Sequence, residues 1–186
     1  LHGWGTSAEA AIEPVAQLLA QHYKVYLPDL PGFGASEEPH AWGLDEYVEW
    51  VFALIREYKL RDFILIGHSF GGRIAIKIAA ESSVKPRAIV LVDSAGIRQV
   101  SARAFVSMLL AKLGQPLRHF SDFDRLGRHI LSKIGGSHDD EKAGPLRDTF
   151  RKVIREDLAH LLLKIQIPAL ILWGKNDRLT PLAHGQ

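Results

Sequence analysis

The sequence predicts an α/β fold built on a parallel sheet. Two observations carry that expectation: the apolar runs are short and continuous rather than alternating, and stretches of helical periodicity separate them. Runs that are apolar at every position suit strands covered on both faces. Their alternation with helices implies crossover connections between parallel neighbours.

Taken in order, Ser7 to Gln21 carries Ile12, Val15, Leu18 and Leu19 at helical spacing, with Ser7 placed to cap it. Lys24 to Leu27 reads as the first strand. Leu44 to Tyr58 is a second helix, with Tyr47, Val48, Val51, Leu54 and Ile55 on one face. Phe63 to Ile66 is a strand, Gly71 to Glu81 a helix, Ala88 to Val92 a strand, and Ala169 to Trp173 a last strand. From Ile97 to Asp157 there is no convincing strand. Met108, Leu109 and Leu113 fit a helix there, as do Phe150, Val153 and Ile154. That stretch holds 12 Lys/Arg against 8 Asp/Glu, so it is basic while the rest is slightly acidic. It reads either as a lid over a site or as a solvated helical excursion. The expected division is residues 1–96 as the first part of the core, 97–160 as a helical insertion, and 161–186 as the second part of the core.

Composition excludes several functions. The 186 residues are 47% hydrophobic and 24% charged, which suits one globular domain and not a disordered or repetitive chain. A net charge of +2 is no footprint for nucleic acid. The chain has no cysteine, which excludes disulfides, thiolate metal sites and a cysteine nucleophile and agrees with a cytoplasmic location. No apolar run is long enough to span a membrane.

Chemistry concentrates at strand ends. Gly67-His68-Ser69-Phe70-Gly71-Gly72 follows one predicted strand and opens a helix, the context of a G-x-S-x-G turn. Glycines two before and two after the serine remove side chains from a turn in which strand and helix nearly collide. The serine projects, and the helix N-terminus favours the negative charge of acyl transfer. The bland alternative is a glycine-rich turn with a capping serine. Ahead of it, His2-Gly3-Trp4-Gly5 offers the Trp4 N–H as partner to the Phe70 N–H in holding an oxyanion. Asp29 to Ser36 (DLPGFGAS) is a Pro- and Gly-enforced loop assigned to structure. Asp177 stands just beyond the last strand, either as an acid that orients a histidine or as an Asx-turn residue. Asp93, at the end of the preceding strand, is second choice for that role.

The chain resembles an α/β-hydrolase with a helical cap. HGWG, DLPGFGAS, GHSFGG, LVDSAG and LILWGKNDRLTP occur in that family's order and cover Leu1 to about Pro181, apart from the cap. The resemblance implies Ser69 as nucleophile, Asp177 as acid, and Trp4 and Phe70 as oxyanion donors, acting on a small acyl substrate with no cofactor or metal. Haloalkane dehalogenases and epoxide hydrolases are disfavoured, because they carry Asp where Ser69 stands. The family places its catalytic histidine after Asp177, beyond a further strand. His184 is the one histidine that follows, and a crossover takes at least ~10–12 residues, so His184 belongs to the opening of a helix and is a poor base. His68 is expected to turn away from the site and His2 to stabilise its turn. In the family, further strands also precede HGWG. The expectation is therefore an internal fragment of a longer hydrolase, weakly stable and nearly inactive by itself. The leading expectation is a serine hydrolase of the carboxylesterase kind, with Phe105, Met108, Leu109, Leu110 and Leu113 shaping the acyl pocket. The alternatives are a carbon–carbon bond hydrolase or acyltransferase on the same machinery, or a non-catalytic binding protein if the chain ends at Gln186.

Overall fold

The computed structural model describes residues 1–37, 40–97 and 144–186. Ile64–His68 (β1) and Ala88–Val92 (β2) pair in parallel, with Ile64 beside Ala88 and His68 beside Val92. Ala169–Leu172 (β3) runs parallel along the other side of β2, with Val92 beside Leu172. The sheet order is β1-β2-β3, so the carboxyl ends of all three strands open on one edge. That is the edge where open α/β sheets bind ligands.

The helices form where the apolar spacing puts them. Ala8–Leu19 (α1) starts where Ser7 accepts a hydrogen bond from the Ala10 N–H at 3.2 Å, but it buries Ala8 and Ala16 and leaves Val15 and Leu18 of its expected face exposed. Leu44–Glu57 (α2) buries Leu44, Tyr47, Val48, Val51 and Ile55 on one face. Phe70–Glu81 (α3) joins β1 to β2 and is buried at nine of its twelve positions. A helix apolar nearly all round must be covered nearly all round. The sheet lies on one side of it, α2 on another, and the short helix Ala159–Leu162 (α5) on a third. Ile74, Ala75, Ile78 and Ala79 of α3 meet Ile89 and Leu91 of β2 and Leu158 and Leu161 near α5 in a single core. Arg147–Arg155 (α4) precedes α5 and buries Thr149, Phe150 and Val153. Of the apolar residues expected on this helix, Phe150 and Val153 face inward, while Ile154 is exposed.

Two expectations fail. Lys24 to Leu27 forms no strand. A strand exists only through a ladder, and the edge of β1 is engaged by Leu1 instead. The Leu1 nitrogen donates to Ile66 O at 2.6 Å, and Leu1 O accepts from the His68 N–H at 3.0 Å. Among the described residues the strands are also not covered on both faces. β1 and β2 alternate between better and less buried positions, and all four residues of β3 are exposed. α3 covers one face of the ladder, and β3 has one strand neighbour among the described residues. Of the insertion expected over 97–160, residues 98–143 lie outside the described residues, among them Phe105, Met108, Leu109, Leu110 and Leu113. Among the described residues no helix is long and apolar enough to cross a membrane.

Candidate active site

Ser69 sits between the last residue of β1 and the first of α3, at φ 49° and ψ −108°. This is unfavourable backbone for a residue with a Cβ, worth ~1–3 kcal/mol of strain, and it persists because its surroundings over-determine it. The Ser69 N–H donates to Val92 O at 3.0 Å. Its carbonyl accepts from the N–H groups of Gly72 and Ala95 at 3.0 and 3.1 Å. The glycines explain themselves by distance. A Cβ on Gly67 would lie 2.4 Å from Gly71 O, and one on Gly71 would lie 2.4 Å from Leu1 O. Gly72 is equally constrained, since its Cβ would lie 2.1 Å from Ser94 Oγ. Although Ser69 holds the N-cap position of α3, its hydroxyl makes no capping hydrogen bond. The capping alternative therefore has no support in the geometry.

The loop at residues 2–5 docks on this turn. The Gly71 N–H donates to His2 O at 3.1 Å. His2 is fully buried. Its Nε2 accepts from the Leu30 N–H at 2.9 Å, so Nδ1 carries the proton and donates to Gly3 O at 2.7 Å. Burial above all keeps its pKa below the usual histidine value. The loop thus rests on Leu30 through a neutral imidazole. A Cβ on Gly3 would come 3.0 Å from His68 Nδ1 and 3.4 Å from Ser69 Cβ, so the His68 ring packs against this loop beside the serine. Trp4 and Phe70 come together, with ring centroids 5.2 Å apart. Trp4 also meets Phe33 at 4.9 Å and Phe150 of α4 at 5.0 Å. Trp4, Ser7, Phe33 and Leu146 border a cavity of about 410 Å³.

Asp29, in the loop assigned to structure, is what fastens that loop. Its two carboxylate oxygens accept from the N–H groups of Ala8 at 2.7 Å and Ala35 at 2.9 Å. These amide contacts, that of Ala35 foremost, hold its pKa below the usual carboxylate value.

On the other side of the strand ends, Asp177 closes a turn after β3, donating its N–H to Gly174 O at 3.1 Å. Its Oδ1 accepts from the N–H groups of Leu179 at 2.7 Å and Thr180 at 2.9 Å, and its Oδ2 from Thr180 Oγ1 at 3.0 Å. The Thr180 amide leads in lowering its pKa. The Leu179 amide, the Thr180 hydroxyl and His68 add to that effect, and burial opposes it. Asp177 therefore makes the Asx-type contacts weighed as its alternative role, and they keep it ionised. Asp93, at φ 41°, accepts from the Gly174 N–H at 2.6 Å through Oδ1, which ties the end of β2 to the start of the Asp177 turn. Among the described residues no imidazole hydrogen-bonds Ser69 or Asp177. His184 lies in a short 3-10 turn, Leu182–His184, and its buried Nε2 has no partner among the described residues.

Sequence reasoning passed over two residues. Arg73, a cation buried in a helix that is otherwise largely apolar, was a visible signal. Thr180, which contacts both aspartates, carried no signal beyond its place three residues after Asp177.

A curated relative, the pimeloyl-[acyl-carrier protein] methyl ester esterase of Vibrio cholerae, is 29% identical over 198 residues, covering 97% of this chain and 76% of its own length. Among solved structures, a hydrolase from Pseudomonas aeruginosa superposes with a TM-score of 0.71 at 20% identity, covering 99% of this chain and 73% of that one. An esterase from Exiguobacterium antarcticum superposes at 0.69 with 23% identity, covering 98% and 75%. The family model described as the alpha/beta hydrolase family matches residues 1–186. A parallel sheet with a strained serine turn at its carboxyl edge is what that match leads one to expect, and the chain belongs to the alpha/beta hydrolase family of enzymes.

Proposed function

We propose that the protein is a serine hydrolase that cleaves an ester of a small acyl compound through an acyl-enzyme on Ser69. The observation that carries this reading is the Ser69 turn. Its backbone is strained, its hydroxyl is spared from capping, and α3 begins at the next residue. Strain is retained where a side chain must be presented, and an N–H at a helix start, here that of Phe70, favours an oxyanion. The relatives named as methyl ester esterases support an ester as the bond cleaved.

Ser69 Oγ attacks the ester carbonyl. Its proton passes to an imidazole that Asp177 orients and stabilises as a cation, and that imidazole then protonates the departing alkoxide. The N–H groups of Trp4 and Phe70 receive the oxyanion. Water, activated by the same base, releases the acid and frees Ser69. The apolar wall of Trp4, Phe33 and Phe150 suits the hydrocarbon part of the substrate. The test is a panel of methyl and p-nitrophenyl esters offered to the full-length protein and to its Ser69→Ala variant. Acid and alcohol in equal amounts from the parent, with none above background from the variant, is the expected result. Equal turnover by both would overturn the reading.

A further inference from the structure

A carboxylate offers about four acceptor positions, two on each oxygen. Asp177 uses three of them within its own turn. The N–H groups of Leu179 and Thr180 occupy Oδ1, and the Thr180 hydroxyl occupies one position on Oδ2. One position remains, and it is on Oδ2. Thr180 is itself held on several sides. Its carbonyl accepts from Trp173 Nε1 at 2.6 Å, and its hydroxyl also lies 3.1 Å from Asp93 O, at the end of β2. It is only 8% exposed, so water does not compete freely for that hydroxyl. The hydroxyl has one proton for two acceptors, and an ionised oxygen is the stronger. The proton therefore belongs to Asp177 Oδ2, with the Asp93 carbonyl as the nearby second acceptor.

We propose that Thr180 is a positioning residue for Asp177: its hydroxyl fills the second-to-last acceptor position of the carboxylate and leaves Oδ2 a single lone pair, of fixed direction, for the imidazole of the base. This inference rests on the reading of Asp177 as the acid of the site. Without the hydroxyl, Oδ2 presents two open positions, and the imidazole loses its unique orientation toward Ser69. The ground-state binding of an ester is expected to change little, because Thr180 is 8% exposed and its hydroxyl is engaged by Asp177 and Asp93. The change is thus felt in kcat and not in KM.

The experiment compares Thr180→Val, Thr180→Ser and Asp177→Asn in the full-length protein, using p-nitrophenyl acetate as probe and following kcat, KM and thermal stability together. Thr180→Val keeps the shape of the side chain and is expected to lower kcat about tenfold, with KM and the melting temperature nearly unchanged. Thr180→Ser restores the hydroxyl and is expected to restore kcat. Two outcomes overturn the inference alone: Thr180→Val with parental kcat while Asp177→Asn is slow, or Thr180→Val that loses stability and kcat together with no recovery in Thr180→Ser. Parental kcat in Asp177→Asn overturns the reading of Asp177, and the inference with it.

Discussion

The Arg73 guanidinium donates to the carbonyl oxygen of Val153 at 2.7 Å, bonding the helix that follows the serine turn to the last turn of α4. Arg73 is 6% exposed and also reaches Glu156 O. Four residues further along α3, Lys77 pairs with Glu156 at 2.5 Å and with Asp45 of α2 at 2.6 Å. A cation at a helix C-terminus meets the negative end of its dipole and satisfies carbonyls that have no partner within the helix. Through this contact α4 is held where Phe150 can meet Trp4.

Arg73→Met keeps the apolar stem and removes the donors, leaving buried carbonyls unsatisfied. The expected cost is ~2 kcal/mol, seen as a melting temperature lower by roughly 4–8 °C in calorimetry of the full-length protein. An unchanged melting temperature would show that the contact adds nothing to stability.

Gly67→Ala and Gly5→Ala separate close approach from backbone conformation. A Cβ at Gly67 meets the Gly71 carbonyl, whereas Gly5 has φ 74° with nothing within 4 Å of its added Cβ. Urea unfolding should show Gly67→Ala to be the more costly. Its expected loss is ~3 kcal/mol, from overpacking against rigid backbone, against ~1 kcal/mol for the left-handed position. Equal losses would mean that the turn relaxes around the methyl group.

His2 predicts a pH dependence of stability. Its folded pKa is lowered, so below about pH 6.5 the unfolded chain takes up a proton that the folded chain resists. The native state therefore loses stability as pH falls through that value and regains it above. The lowered pKa of Asp29 acts lower on the scale, with stability lost as pH falls through the ordinary carboxylate range. Urea midpoints between pH 5 and 7.5 should fall with acidification, and His2→Gln, which retains an acceptor for the Leu30 N–H, should flatten part of that slope. Parallel curves for the two proteins would refute the assignment.

Asp93 and Asp177 differ in what they hold. Asn at position 93 still accepts from the Gly174 N–H through its amide oxygen and tolerates the positive φ at that position. Asp93→Asn should therefore leave kcat nearly unchanged, while Asp177→Asn should cut it by about 10⁴-fold. The reverse result in steady-state kinetics would exchange the two roles.

The helices were legible because their signals are local. Ser7 stands at the start of α1, and α2 repeats its apolar face every three or four residues. β2 was legible from Ala88 to Val92 because a β-branched, fully apolar run between turn residues has few other uses. Lys24 to Leu27 has the same local character and forms no strand, since pairing depends on a neighbour that no window of sequence contains. At the site, the pattern of Gly67, Ser69 and Gly71 carries its own geometry and could be read directly. The contact of Thr180 with Asp93 and that of Arg73 with Val153 join positions 87 and 80 residues apart and arise only on folding.

The proposed chemistry depends above all on Ser69 being a nucleophile. The most direct test is intact-mass spectrometry of the full-length protein after treatment with a fluorophosphonate, followed by peptide mapping. One adduct is expected, on Ser69, absent from Ser69→Ala and slow to form in Asp177→Asn. No adduct on the folded parent, or an adduct on another residue, would contradict that role.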